Sequence, residues 1–176
     1  RAITTMNVIR QSIRSIYEMR SLNPRLMPGE DLYTLVRASM IMDRERVAEM
    51  LLDTLAELHA KAGKAAEDRP VKRLVLAGGL CNHPDIYSMI EEAGGAMVWD
   101  DFCTGARYFS QIVPDGTAPV ARIAERLIQR VVCPAKHMDL DGRARQIIRV
   151  VKEQNAQGII DRKSTRLNSS HKAISF

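Results

Sequence analysis

The sequence predicts an α/β fold: a helical N-terminal segment followed by a parallel-sheet domain, truncated at both ends. Three observations predict it. Apolar residues recur at spacings of three and four through residues 1–66. At Val71 the period switches to short β-branched and Leu-rich runs that end at glycines or acids, as buried parallel strands do. The runs at 71–77 and 96–99 are separated by one helical stretch, the pattern of a βαβ unit with a right-handed crossover.

Each element has its own justification. Met6, Ile9, Ile13 and Ile16 share one helical face, with Arg10, Arg14 and Glu18 elsewhere on the surface. Asn23-Pro24 and Pro28-Gly29 break that helix. A second helix carries Leu32, Leu35, Val36 and Met40, and a third starts near Asp43, a good N-cap, and buries Val47, Met50, Leu51, Leu55 and Leu58. Residues 60–68, rich in Ala, Lys and Gly, read as a solvated linker. The strand at 71–77 (VKRLVLA) ends at Gly78-Gly79, and the helix at 84–93 is opened by proline and closed by Gly94-Gly95. The strand at 96–99 has Asp100 and Asp101 at its carboxyl end. Further helices are expected at 117–130 (Val120, Ile123, Leu127) and 140–155 (Ala144, Ile147, Ile148, Val151), and a third strand begins at Gly158-Ile159-Ile160.

Both ends look cut. The chain opens at Arg1, already inside a helical pattern. Residues 161–171 read DRKSTRLNSSH, the translation of a widely used short-read sequencing adapter, so residues 161–176 are expected to be translated adapter and index rather than native chain. This matters for charge. Without that tail, which holds four basic residues and one acid, the formal charge of +5 falls to +2, with 22 basic and 20 acidic residues. A near-neutral mixture with 5% aromatic residues argues against a nucleic-acid partner, which requires clustered positive charge and stacking platforms.

The 176 residues, 45% hydrophobic and 27% charged, suffice for one globular domain or two small ones. Three cysteines without repeating spacing argue against a secreted disulfide framework and for a reducing, cytoplasmic setting. No run approaches the about 20 apolar residues of a membrane span.

In open parallel sheets, ligands bind outside the carboxyl ends of the strands. Residues 78–82 and 100–107 both lie there. The densest feature is WDDFCTGARYF at 99–109, where a thiol (Cys103) beside an arginine and near a helix start favours the thiolate, suited to metal ligation or nucleophilic catalysis. The second is VCPAKH at 132–137, in which Pro134 fixes the turn after Cys133 and Lys136 and His137 follow. A free cysteine more usually acts as a small buried hydrophobe, and a separation of thirty residues matches no compact Cys-x-x-Cys signature. Asp100 and Asp101 suit a helix cap as well as acid–base work. His59 reads as a surface or boundary residue of the third helix, while His83 and His137 flank loops and suit ligands, helix-end cations or solvated residues. Neither G-x-G-x-x-G, a P-loop nor a G-x-S-x-G elbow occurs.

The segment RLVLAGGLCNHPDIYSMIEEAGGAMVWDDFCTGARYF, followed by RVVCPAKH and then R-x-x-x-I-I-x-x-V-K-E-x-x-A-x-G-I-I, resembles the 2-hydroxyacyl-CoA dehydratase family, which includes subunits of ATP-dependent benzoyl-CoA reductases. The resemblance spans most of residues 1–160, with D-D-x-C-T-G-x-R-Y-F (100–109) its most specific part and a likeness to the 2-hydroxyglutaryl-CoA dehydratase D-component. It implies Rossmann-like α/β domains holding a 4Fe-4S cluster between them. Cys103 is then the best candidate ligand, and Cys133 a second ligand or a neighbour of one, with the remaining ligands outside the chain. Cys81, Asn82 and His83 become bystanders near the cluster. Asp100, Asp101, Thr104 and Arg107 become hydrogen-bonding support, substrate contacts or the scaffold of the turn. Residues 1–66 become helical packing from a junction between domains, and residues 67–160 a Rossmann-like domain.

The implied activity is dehydration of an (R)-2-hydroxyacyl-CoA. The hydrogen lost is on the β carbon and hardly acidic, so a general base alone does not remove it. One electron delivered to the thioester carbonyl gives a ketyl radical that expels the hydroxyl, and the electron is later returned. The implied partners are a second dehydratase subunit, an ATP-hydrolysing iron–sulfur activator and the CoA thioester, with no nucleic acid and no membrane. Two rival readings remain: a benzoyl-CoA reductase-type subunit, and a cluster-free α/β binding module with core cysteines. A fragment of such a subunit is expected to be inactive by itself.

Overall fold

The computed structural model describes residues 1–62, 70–130, 139 and 141–162. Three helices come first, α1 (Ala2–Leu22), α2 (Gly29–Ile41) and α3 (Arg44–Ala62). Ile9, Ile13, Ile16 and Tyr17 share one face of α1 and are buried, as their spacing requires. Asp43 caps α3: its Oδ1 accepts the backbone N–H groups of Glu45 and Arg46 at 3.0 and 3.1 Å.

The sheet comprises β1 (Lys72–Gly78), β2 (Gly95–Asp101) and β3 (Gly158–Arg162), all parallel, in the order β2-β1-β3. The central place of β1 explains its apolar run, with Val75, Leu76 and Ala77 all buried. The helix α4 (Asp85–Glu92) makes the crossover from β1 to β2 and ends at Gly94, whose φ of +81° suits glycine alone. β2 includes Asp100 and Asp101, paired with Leu76 and Ala77. β3 continues through Asp161 and Arg162, two residues past the boundary drawn at 160, with Arg162 opposite Gly78.

The short helix α5 (Ala106–Phe109), absent from the sequence reading, follows β2, and α6 (Pro119–Gln129) and α7 (Gly142–Glu153) complete the described elements. Two expected faces differ. On α6, Val120, Ile123 and Leu127 are 80%, 41% and 42% exposed, and the residue that is buried is Arg126. It is held by carbonyls within and just after α5, which a pattern of apolar residues does not reveal. On α7 the buried residues are Gly142 and Val150, while Ile148 is 45% exposed. The linker at 60–68 lies largely outside the described residues.

One hydrophobic cluster joins the helical segment to the sheet domain, running from Ile9, Ile13, Leu32 and Leu51 to Leu76, Met97, Phe102 and Phe109. Arg20, 1% exposed, sits at that junction. Its Nε donates to the Met27 carbonyl at 2.9 Å, Nη1 to the Met97 carbonyl, and Nη2 to Glu91 Oε1 at 2.5 Å. The same Glu91 oxygen accepts the Gly29 N–H at 2.9 Å, so one guanidinium ties α1, the start of α2, α4 and β2 together. No described helix is long and apolar enough to cross a membrane.

Candidate functional site

The carboxyl ends of β1 and β2 carry two loops that are stitched together. Thr104 Oγ1 donates to the Cys81 carbonyl at 3.2 Å and accepts the Cys81 N–H at 3.3 Å, and the Cys103 N–H donates to the Gly79 carbonyl at 3.0 Å. The turn after β2 is built around Asp100, which is buried. Its Oδ1 accepts the N–H groups of Phe102 and Ala106 at 3.0 and 2.8 Å, and its Oδ2 accepts the Tyr17 hydroxyl at 2.6 Å. Asp100 thus anchors the turn and the start of α5, and fastens both to α1. Gly105 fits between them because it lacks a side chain: a Cβ there would overlap Asp100 Oδ1 and lie 2.5 Å from its Cγ.

Burial raises the Asp100 carboxyl above its ordinary range, against the pull of its three donors. An acid whose pKa rises on folding binds more protons in the native state, so stability falls as pH rises from the ordinary aspartate range through the raised value. Asp100→Asn keeps the two accepted backbone bonds and removes the charge. We expect it to change stability at neutral pH by only about 1 kcal/mol and to flatten that acid-side slope, as read from denaturant midpoints across pH. A loss of several kcal/mol would mean that the charge itself holds the turn.

Asp101 has a different role. Arg107 grips it with two bonds, Nε to Oδ1 at 2.8 Å and Nη2 to Oδ2 at 2.5 Å, and Arg143 of α7 adds Nε to Oδ2 at 3.0 Å. Nη2 of Arg107 also reaches the Gly78 carbonyl at 3.1 Å. The remaining nitrogen, Nη1, donates to Cys103 Sγ at 3.4 Å. Burial opposes the charge of Arg107, but the bonds and charge of Asp101 and the bond to Cys103 outweigh it and hold its pKa above the ordinary value. Planar guanidinium geometry lets one buried side chain serve carboxylate, carbonyl and sulfur together.

The predicted residues therefore converge in part. Asp100, Asp101, Cys103, Thr104 and Arg107 form one connected turn, with Cys103 half-buried at its edge. Cys81 is fully buried in the core cluster, its Sγ 3.6 Å from the His83 carbonyl. Asn82, His83 and His59 are exposed. Cys133, Lys136 and His137 lie outside the described residues. Sequence reasoning does not find Tyr17 or Arg143. Tyr17 sits in an apolar stripe where only its hydroxyl hints at a partner, and Arg143 has no local signal because its partner is 42 residues away.

For a metal cluster, the described residues fit one ligand. Cys103 Sγ is partly accessible and accepts a charged N–H donor, an arrangement that a metal-bound thiolate shares. Among the described residues no group of three or more His, Cys, Asp or Glu gathers around a common point. Beside the turn, a cleft of about 550 Å³ runs between α1, β1, β2 and α7, with Trp99, Asp101, Arg107 and Gln146 among its walls.

Fold and site define a parallel α/β chain that presents a thiol, braced by an Arg–Asp pair, at the carboxyl end of a strand. The chain belongs to the family described as 2-hydroxyglutaryl-CoA dehydratase, D-component, which matches residues 1–164. It is 25% identical over 163 residues to a benzoyl-CoA reductase subunit of Thauera aromatica, a match covering 90% of this chain and 42% of that protein. It is 24% identical over 162 residues to the (R)-phenyllactyl-CoA dehydratase beta subunit of Clostridium sporogenes, covering 91% of this chain and 42% of that one. The chain thus spans less than half the length of the curated relatives it matches.

Proposed function

We propose that this chain is part of a subunit of an iron–sulfur (R)-2-hydroxyacyl-CoA dehydratase, with Cys103 supplying one ligand to a 4Fe-4S cluster. The observation that carries the reading is the bracing of Cys103: a half-buried sulfur at a strand's carboxyl end, held by a guanidinium that is itself clamped by Asp101. A charged donor on the sulfur suits a metal-bound thiolate, whose negative charge it stabilises.

When bound, the cluster supplies single-electron chemistry, so that a 2-hydroxyacyl-CoA loses water through a ketyl radical with no net reductant consumed. The protein's own groups act around it. Arg107 places a charged donor on the sulfur, which lowers the electron density a ligand thiolate carries. Thr104 fixes the turn against the loop after β1. Asp101, paired with two guanidiniums, and Asp100, holding three donors, are both fully engaged and are scaffold rather than acid or base. Cys133 remains a candidate second ligand. The expected partners are a second subunit, a separate ATP-hydrolysing activator and the CoA thioester, in the cytoplasm.

The match to a benzoyl-CoA reductase subunit favours a second reading, in which the same architecture delivers electrons to a reducible acyl-CoA. One experiment separates them. The full-length protein that carries this chain, with its partner subunit and activator, is incubated anaerobically with (R)-2-hydroxyacyl-CoA or benzoyl-CoA and a measured amount of reductant. A dehydratase forms enoyl-CoA and water without stoichiometric reductant use. A reductase consumes two electrons per product. An iron-free protein that converts neither substrate would refute both readings and leave a binding module.

A further inference from the structure

Four arginines near the cleft, two of them in its lining, form a concentration of positive charge apart from the Arg107–Asp101 pair. Arg10 and Arg14 lie one turn apart on α1, and Arg126 and Arg130 one turn apart at the end of α6. Like charges at that spacing repel. The pairs also meet each other: burial, together with repulsion from Arg10 and Arg130, lowers the pKa of Arg126 to about 10, and burial with repulsion from Arg130 lowers that of Arg10.

Arg126 donates to the carbonyls of Gln111, Tyr108 and Ser110, Arg130 to that of Arg107, and Arg10 to the Asn7 side-chain oxygen; all are neutral acceptors. Among the described residues none of the four arginines forms an ion pair, whereas Arg145, on the opposite wall, is paired with Asp139 at 2.6 Å. Arg14 and Arg130 line the cleft, with Glu18 the one acid on the α1 wall beside them. Arg14 is exposed and makes no hydrogen bond among the described residues.

We propose that this corner binds a phosphate-bearing anion, with Arg14 and Arg130 as direct contacts and Arg10 and Arg126 as fixed charge behind them. The guanidiniums of Arg14 and Arg130 line the same cleft of about 550 Å³ and can donate to the oxygens of a phosphate, and the cleft has the volume of a small-molecule site. The resident source is the phosphates of a CoA tail. That assignment rests on the acyl-CoA reading above, but the anion site rests on the arginines alone.

The test is calorimetric titration of the full-length protein at low ionic strength with CoA, 3′-dephospho-CoA and pyrophosphate, alongside Arg14→Gln and Arg14→Glu, with turnover of the hydroxyacyl-CoA measured in parallel. The expected result is CoA binding that weakens about tenfold in Arg14→Gln and further in Arg14→Glu. Dephospho-CoA binding more weakly than CoA would assign the 3′-phosphate to the corner. Arg14-dependent binding of pyrophosphate but not of CoA, in a protein that turns over no acyl-CoA, would keep the anion site and remove the acyl-CoA reading. No binding of any of the three, or binding indifferent to Arg14→Glu, would overturn the proposal. Arg130→Gln, with folding checked by circular dichroism, is the second variant and is expected to weaken the same titrations.

Discussion

Gly105→Ala is expected to destabilise the protein by about 3 kcal/mol or more, at the upper end of overpacking costs. The added Cβ would overlap Asp100 Oδ1 and sit 2.5 Å from its Cγ. A long flexible neighbour could swing away. Asp100 cannot, because its carboxylate is short, buried and held by the Tyr17 hydroxyl and two backbone N–H groups. Relief must come from the turn that carries Cys103 and Thr104 or from α1 through Tyr17. The measurement is urea unfolding of the full-length protein, with alkylation of Cys103 after removal of iron as a local probe. Destabilisation with faster alkylation is expected. An unchanged midpoint would mean that the turn is not packed against Asp100 in this way.

Arg20→Met is expected to cost about 3–5 kcal/mol, the range for removing one partner of a buried pair. Methionine fills the volume of the stem but abandons the Met27 and Met97 carbonyls and leaves Glu91 holding only the Gly29 N–H. Glu91 is about one-third exposed, so water recovers part of its loss, whereas the two carbonyls lie beside a side chain that is 1% exposed. The double variant Arg20→Met/Glu91→Leu is expected to recover part of the stability, because replacing both charges removes the unpaired carboxylate. Denaturation of the single and double variants measures this, and equal midpoints for Arg20→Met and the unmodified protein would refute the account.

The periodic elements are legible because their physics is local. The isoleucines of α1, the Asp43 cap and the Gly94 stop are each set by residues within a few positions, and the βαβ unit follows from the change of period at Val71. The site turn is legible as a place, since two acids, a thiol and an arginine at a strand's end are poor core material. Its wiring is not. Tyr17 to Asp100 spans 83 positions and Arg20 to Met97 spans 77, and neither partner is marked in its own segment. The outward face of α6 escapes the sequence for a related reason: its apolar stripe has the right spacing, but Arg126 finds three carbonyls on the other side and fixes the helix that way round.

The arginine bonded to the sulfur gives Cys103 a property that a packed cysteine lacks. If the thiolate is a cluster ligand, removing the donor with Arg107→Gln is expected to lower the cluster's reduction potential, because hydrogen bonds to ligand sulfur favour the reduced, more negative state. A redox titration followed by electron paramagnetic resonance reads this. An unshifted potential in an iron-loaded variant would deny Arg107 that role.

The most direct measurement is iron and acid-labile sulfide in the full-length protein, purified anaerobically with its partner subunit, compared with Cys103→Ser. About four irons and four sulfides per cluster are expected, with most of that cluster's iron lost in the variant while its circular dichroism is retained. Equal iron in the two proteins, or none in either, would contradict that expectation.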